Sequence, residues 1–259
     1  MKVLVKVGGT LLEDNHTRRC IAEQLRALRE ECQVTTVHGG GKQVTKYLEN
    51  HDTASSFVGG LRVSDNAVID AVVKVIAGTV NKQFVATLIA AGCPAVGLSG
   101  IDGALTKAAQ LSPELGQVGD PQHSDGRLLN LLVEAGYLPV IACVAVGAAG
   151  EIFNVNADRM AVSCAAGWGA DTLLFLTDVP GVKDAEGKLI PHLTRESAQE
   201  LIRTGVAQGG MQAKLESANL ALRNGVTDII IASGRERDVC HRALRDAGVG
   251  TRLTRAVSA

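Results

Sequence analysis

Lys2-Val3-Leu4-Val5-Lys6-Val7-Gly8-Gly9-Thr10 is a short aliphatic, β-branched run that stops at a double glycine. The pattern returns at Val34–His38, which runs into Gly39-Gly40-Gly41-Lys42 ahead of a helix expected to begin near Gln43. Further runs of the same kind lie at Ala95–Leu98, Leu138–Val144, Thr172–Thr177 and Asp228–Ala232. Between them, Ile21, Leu25 and Leu28 trace one helical stripe, and Leu128, Leu129, Leu132 and Val133 another. Short strands alternating with helices imply parallel strands joined by crossover helices. The predicted fold class is α/β, a three-layer αβα sandwich around a mostly parallel central sheet.

Composition narrows the function. The 259 residues are 46% hydrophobic and 20% charged, with 29 glycines, which excludes a disordered chain or a coiled coil. A net charge of −1 and 3% aromatics leave no basic surplus and few stacking platforms, so no nucleic-acid partner is expected. The six cysteines are scattered, without a Cys-x-x-Cys pair or a histidine at zinc spacing, as in a reducing cytoplasm. No metal ligated by protein side chains is expected. Val3-Leu4-Val5 is too short for a secretory signal, and Gly92-Cys93-Pro94 cuts the uncharged stretch Gln83 to Ile101 into a helix and a strand. A cytoplasmic protein with no membrane partner is the expectation.

The glycine- and alanine-rich passage Val146-Gly147-Ala148-Ala149-Gly150 suggests a break between two groups of βα units. The chain is divided near residue 170 into lobes 1–170 and 171–259 of one continuous sheet. In open α/β sheets, ligands sit at the carboxyl ends of the strands. The loops after the strands are therefore where chemistry is sought.

Two glycine turns end the first two strands. Glycine lets backbone N–H groups approach an anion, and a following helix N-terminus adds partial positive charge. Each turn alone is read equally well as a tight turn needing positive φ. The P-loop pattern fails, because Thr36 stands five residues before Gly41 and Gln43 follows Lys42. The dinucleotide fingerprint fails on spacing, and no acidic residue ends the second strand.

Asn154-Val155-Asn156-Ala157-Asp158 leads into an alanine-rich helix near Arg159–Gly167, which Asn154 or Asn156 could cap. Asn154 and Asp158, four apart, would share a side if the turn is helical. Thr177-Asp178-Val179-Pro180-Gly181-Val182-Lys183 is a connection or a nucleotide shelf. Lys214 shares a helix side with Met211 and Ala218. Taken singly, Lys214 reads as a solvated helix lysine, and Arg62 in Gly59-Gly60-Leu61-Arg62-Val63 as an exposed loop arginine.

Taken together and in this order, the motifs resemble the amino acid kinase family, in its branch acting on N-acetyl-L-glutamate. Gly60-Leu61-Arg62-Val63 with Asn154-Val155-Asn156-Ala157-Asp158 is the specific part. The resemblance implies ATP-dependent phosphorylation of the γ-carboxylate of N-acetyl-L-glutamate in arginine biosynthesis, with Mg²⁺ accompanying ATP. It implies that Lys6 and Lys214 flank the transferring phosphoryl group, that Asp158 holds both lysines, and that Gly9 and Gly40 donate N–H groups to its oxygens. Gly39, Gly40, Arg62 and Asn154 would bind the acylated amino acid. Besides Lys6 and Lys214, Asp178, Val179, Pro180, Gly181, Val182 and Lys183 would contact ATP, with Val206, Ala207 and Gln208.

The first lobe would bind the acylated amino acid and dimerise, and the second would bind ATP. Members inhibited by arginine carry a helix before the first strand, which here starts at Lys2, so the expectation is a homodimer without arginine feedback. Ile101-Asp102-Gly103 departs from the lysine that often precedes Asp-Gly in the family. The alternatives are a kinase of N-succinylglutamate or an aminoadipate derivative, a dinucleotide-binding oxidoreductase, and a non-catalytic scaffold. A scaffold would have no need for Lys6, Asp158 and Lys214 together.

Overall fold

The computed structural model describes residues 1–245 and 248–254. The first half contains β1 (Lys2–Val7), α1 (Asn15–Leu28), β2 (Gln33–His38), α2 (Gly41–Glu49), the hairpin β3 (Phe57–Val58) and β4 (Leu61–Arg62), α3 (Asn66–Val72), α4 (Asn81–Ala90), β5 (Ala95–Ser99), β6 (Thr106–Gln110) and β7 (Val118–Ser124). The second contains α5 (Arg127–Glu134), β8 (Leu138–Ala142), β9 (Val144–Val146), β10 (Ile152–Val155), α6 (Ala157–Trp168), β11 (Thr172–Thr177), β12 (His192–Thr194), α7 (Arg195–Arg203), α8 (Gly209–Arg223), β13 (Asp228–Ser233), α9 (Val239–Leu244) and β14 (Thr251–Thr254).

Eight strands form the main sheet in the order β12-β14-β13-β11-β1-β2-β8-β5. Every pair in it is parallel except β13 with β14. Its central strands are buried on both faces, which is why they read as unbroken apolar runs: Val3, Leu4, Val5 and Val7 of β1 and Leu173 to Leu176 of β11 are wholly inaccessible. Helix α6 lies against β1, β2 and β11 and packs with α5 and α8, while α1 packs with α4 and α9. These are the two outer layers of the αβα sandwich.

Five of the six expected strands are present to within a residue at each end. The sixth, Leu138–Val144, breaks at Cys143. Ala142 is the last residue of β8 in register with the main sheet, and Val144 pairs instead with Asn154 in a small closed sheet, β10-β7-β6-β9. The Val146–Gly150 passage is the turn of the β9–β10 hairpin rather than a break between groups of units. Helix α2 begins at Gly41, two residues earlier than expected.

Between α3 and α4 the helix continues through Val73–Val80 with widened turns, so that Asn66–Ala90 is one rod. It is long and apolar enough to cross a membrane by length and composition, yet Val68, Val72, Ile76, Val80, Phe84 and Leu88 are buried in the core. These six recur at every fourth position. In an α-helix a four-residue step overshoots a full turn by about 40°, so such a stripe drifts around the rod. The widened turns at Val73–Val80 rewind it and keep the stripe on the core.

Candidate functional site

The site grows from the register of β1 with β2. Val7 stands opposite His38, so Gly8-Gly9 and Gly39-Gly40 leave the sheet side by side. None of Gly8, Gly9, Gly39, Gly40 and Gly41 has positive φ, and Gly40 is extended at −178°. The reading of these turns as positive-φ turns is therefore wrong. The glycines are required by proximity: a Cβ on Gly9 would lie 2.9 Å from the Gly40 nitrogen and 3.1 Å from its Cα. The Gly9 and Gly40 N–H groups have no hydrogen-bond partner among the described residues. Gly9 opens a short helical turn and Gly40 caps α2, so both donors stand at helix N-termini, where partial positive charge favours an anion.

Beside the turns, Lys6 and Asp158 form a buried ion pair, Nζ to Oδ1 at 2.7 Å, each side chain 9% exposed. Lys214 Nζ stands 3.8 Å from Asp158 Oδ2 and 3.4 Å from the Gly210 carbonyl. Lys214 is therefore not a solvated helix lysine; its side chain is only 18% exposed. Asp158 lies in the first turn of α6, whose cap is Asn156: its Oδ1 accepts from the Asp158 and Arg159 N–H groups at 2.9 and 3.1 Å. Burial pushes the Asp158 carboxyl upward, but Lys6 and Lys214 together outweigh it and hold the group below 3.8. Two cations share one anion here, leaving a net positive centre.

On one side a cleft of about 210 Å³ is lined by Gly39, Gly40, Arg62, Ile76, Cys143 and Asn154, among others. Arg62 is 8% exposed, not the loop arginine that its neighbouring glycines suggest. Its guanidinium donates to the Gly41 carbonyl at 2.9 Å, to Thr45 Oγ1 at 2.6 Å and to Ser55 Oγ, and lies 4.6 Å from the centre of the Phe57 ring. Burial lowers its pKa, but an arginine stays charged throughout the physiological range. Asn154 belongs to β10, so the helical spacing expected between it and Asp158 does not exist; its Nδ2 donates to Ser64 Oγ at 3.1 Å. Burial pushes the Cys143 thiol up to about 11, so it is a neutral wall of the cleft.

On the other side a cleft of about 610 Å³ is lined by Val179, Pro180, Gly181 and Lys183 from one loop and Val206, Ala207 and Gln208 from another. Asp178 stands exposed just after β11 and accepts from Thr177 Oγ1 at 3.1 Å. Val182 is buried behind the cleft, its N–H donating to Thr251 Oγ1 at 2.8 Å, and does not line it. Met211, on the helix side of Lys214, also lines the cleft, as do Asp184 and Gly205, which carry no motif that a sequence reading could find. Gln43, also unforeseen, donates from Nε2 to the Gly9 carbonyl at 2.9 Å. Among the described residues, no group of three His, Cys, Asp or Glu side chains is placed to hold a metal.

The model of the amino acid kinase family matches residues 1–233. An acetylglutamate kinase of Solibacter usitatus is 50% identical over 257 residues, covering 99% of this chain and 100% of that protein. An acetylglutamate kinase of Acidobacterium capsulatum is 43% identical over 234 residues, 89% of this chain and 90% of that one. In fold, the chain is similar to N-acetylglutamate synthase from Neisseria gonorrhoeae complexed with coenzyme A and N-acetyl-glutamate, with a TM-score of 0.88 at 23% identity over 99% of this chain and 60% of that chain. It is also similar in fold to carbamate kinase from Giardia lamblia bound to AMP-PNP, with a TM-score of 0.70 at 14% identity over 98% of each chain.

Proposed function

This chain belongs to the amino acid kinase family, and on that premise we propose how its two clefts divide one reaction. The enzyme is an acetylglutamate kinase, a carboxyl-acceptor phosphotransferase of arginine biosynthesis. It transfers the γ-phosphoryl group of ATP to the γ-carboxylate of N-acetyl-L-glutamate, forming an acyl phosphate and ADP.

The acceptor carboxylate has a pKa of about 4 and is ionised at neutral pH, so no general base is required. The barrier is repulsion between that carboxylate and a triphosphate, lowered by fixed cations and N–H donors around an in-line phosphoryl group. Lys6 and Lys214 supply the charge and Asp158 keeps them in place. Gly9 and Gly40 donate to the phosphoryl oxygens. Arg62 receives the α-carboxylate as a charge-assisted pair, with Asn154, Gly39 and Gly40 completing the acetylglutamate site. Asp178 to Gly181, Lys183 and Val206 to Gln208 hold the nucleotide, with Val182 buried behind them.

Mg²⁺ enters as part of the MgATP substrate. The one carboxylate at the centre, Asp158, is committed to two lysines, and Mg²⁺ is readily held by phosphate oxygens and water. The proposed lobes, 1–170 and 171–259, assign the acetylglutamate cleft and Lys6 to the first and the nucleotide cleft and Lys214 to the second. The proposed working unit is a cytoplasmic homodimer. In its favour, Ile89 of α4, Leu131 of α5 and Tyr137 are exposed on or beside elements packed at the β5–β8 edge of the sheet.

The observation that carries the reading is the buried Lys6–Asp158–Lys214 bridge, in which Asp158 follows the cleft-lining Ala157 and Lys214 shares a helix with Met211 of the other cleft. The test is to trap the product with hydroxylamine, using N-acetyl-L-glutamate, N-succinyl-L-glutamate, an acylated aminoadipate and free glutamate as acceptors. Hydroxamate should form with N-acetyl-L-glutamate and MgATP. Equal yield from free glutamate would overturn the substrate assignment.

A further inference from the structure

We propose that His38 is a positioning residue of the phosphoryl-transfer centre: it pins the Gly39 carbonyl and thereby aims the Gly40 N–H, while Asn81 holds the imidazole in the one tautomer able to do so. This rests on the reading of Gly40 as a donor to the transferring phosphoryl group.

His38 ends β2 and is wholly buried. Its Nδ1 lies 2.9 Å from the Gly39 carbonyl oxygen, which can only accept, so Nδ1 carries the hydrogen. Its Nε2 lies 3.0 Å from Asn81 Nδ2. The Asn81 amide is oriented from both ends: Nδ2 is 2.9 Å from the Val140 carbonyl, which can only accept, and Oδ1 is 3.1 Å from the Lys82 ammonium, which can only donate. Asn81 therefore donates to Nε2, and the ring is neutral with its proton on Nδ1. Burial, with the nearby Lys82 charge, lowers its pKa to about 4, so the ring stays neutral at physiological pH.

The consequence follows from peptide geometry. In a trans peptide the carbonyl of one residue and the N–H of the next lie in one plane and point in opposite directions. Fixing the Gly39 oxygen fixes the Gly40 N–H. Between two glycines that plane would otherwise rotate freely, since neither residue has a Cβ to restrain it. The rod Asn66–Ala90 braces the same peptide twice, through Ile76 and Val80 against Gly40 and through Asn81 against His38. Gly97 makes the arrangement possible, because a Cβ there would overlap Asn81 Oδ1.

The first test uses the wild-type protein. Nitrogen-15 NMR of the imidazoles at neutral pH should show His38 protonated at Nδ1 and bare at Nε2, and the reverse assignment overturns the proposal. The second uses two amides. Asparagine at this position can place its Nδ2 where the imidazole Nδ1 stood, whereas glutamine places its amide nearer the former Nε2.

His38→Gln should lower kcat about 10²-fold with KM for both substrates little changed, and His38→Asn should recover at least about tenfold of that loss. Equal kcat in the two variants, or a loss confined to KM, overturns the positioning role. A wild-type protein that does not turn over N-acetyl-L-glutamate overturns the kinase reading, and the proposal with it. Turnover by the wild type with no contrast between the variants removes the proposal alone.

Discussion

One carboxylate, Asp158, faces two ammonium groups, so the proposed reaction centre holds surplus positive charge before either substrate arrives. Charge on the phosphoryl oxygens redistributes during transfer, and preorganised cations act on that change more than on ground-state binding. Lys6→Ala and Lys214→Ala should each lower kcat roughly 10²–10³-fold with smaller changes in KM. The double variant should lose less than the product of the two, because they act as a unit. Steady-state kinetics with both substrates varied decides this; near-native kcat in Lys214→Ala would remove that residue from catalysis. Asp158 also links the site to stability. Its folded pKa lies below 3.8, so its pairing contributes fully above that value and is lost as the pH falls through the lower, folded one. Asp158→Asn should therefore cost about 3–5 kcal/mol near neutrality, as when one partner of a buried pair is removed. The Tm gap to wild type should narrow on acidification below 3.8. A gap that stays constant would show that the stabilising partner is not the ionised carboxylate.

At the scale of elements, the rod Asn66–Ala90 connects the core, through Asn81 and His38, to the glycine turn proposed to be catalytic. Gly97→Ala on the neighbouring β5 would drive a methyl into Asn81, Lys82 and Val85. Overpacking of this kind costs about 1–3 kcal/mol, and chemical denaturation should show a loss of that size. kcat should fall with it; full activity at reduced stability would separate Asn81 from the turn. The central strands of the main sheet were legible because burial on both faces demands unbroken apolar residues, as in Thr172–Thr177, whereas the short β12 and β14 toward one edge were not. Strands β6 and β7 were not: they carry Lys107, Gln110, Asp120 and Pro121, pair across a register shift, and offer no apolar run to find. The lysines, Asp158 and the glycine turns were readable as motifs. The burial of Arg62 was not, because it depends on Gly41, Thr45 and Ser55 folding around the guanidinium. Nor was the pairing of His38 with Asn81, two residues 43 positions apart on different elements.

Across the whole molecule, β1 lies between the two clefts. Strand β2 and its turn lead to one, β11 and its loop to the other, within a single hydrogen-bonded sheet. In the proposed assignment, this arrangement brings the two substrates together end to end without a shared binding surface. Substitutions in one cleft should therefore leave the other substrate's affinity unchanged. Arg62→Ala removes a charge-assisted contact of about 1.5–3 kcal/mol, which corresponds to a rise of roughly 10–10² in KM for N-acetyl-L-glutamate. KM for ATP should not move. Titration of each substrate at saturating levels of the other measures both, and a proportional rise in the two would mean that Arg62 chiefly supports the fold.

The crowding of Gly9 and Gly40 sets what a second mutation can repair. The three atoms nearest to a Cβ on Gly9 are all main chain: Gly40 N and Cα and the Gly39 carbonyl carbon. No side-chain replacement elsewhere can clear that space, so Gly9→Ala should have no intragenic suppressor. Gly40 differs, because the atoms nearest to a Cβ there belong to the side chains of Ile76, at 3.1 Å, and Val80, at 3.6 Å. Selection for restored growth from Gly40→Ala should return changes at Ile76, such as Ile76→Val or Ile76→Ala, whereas selection from Gly9→Ala should return only true revertants. The two glycines, equivalent in the sequence, thus differ in genetic reversibility.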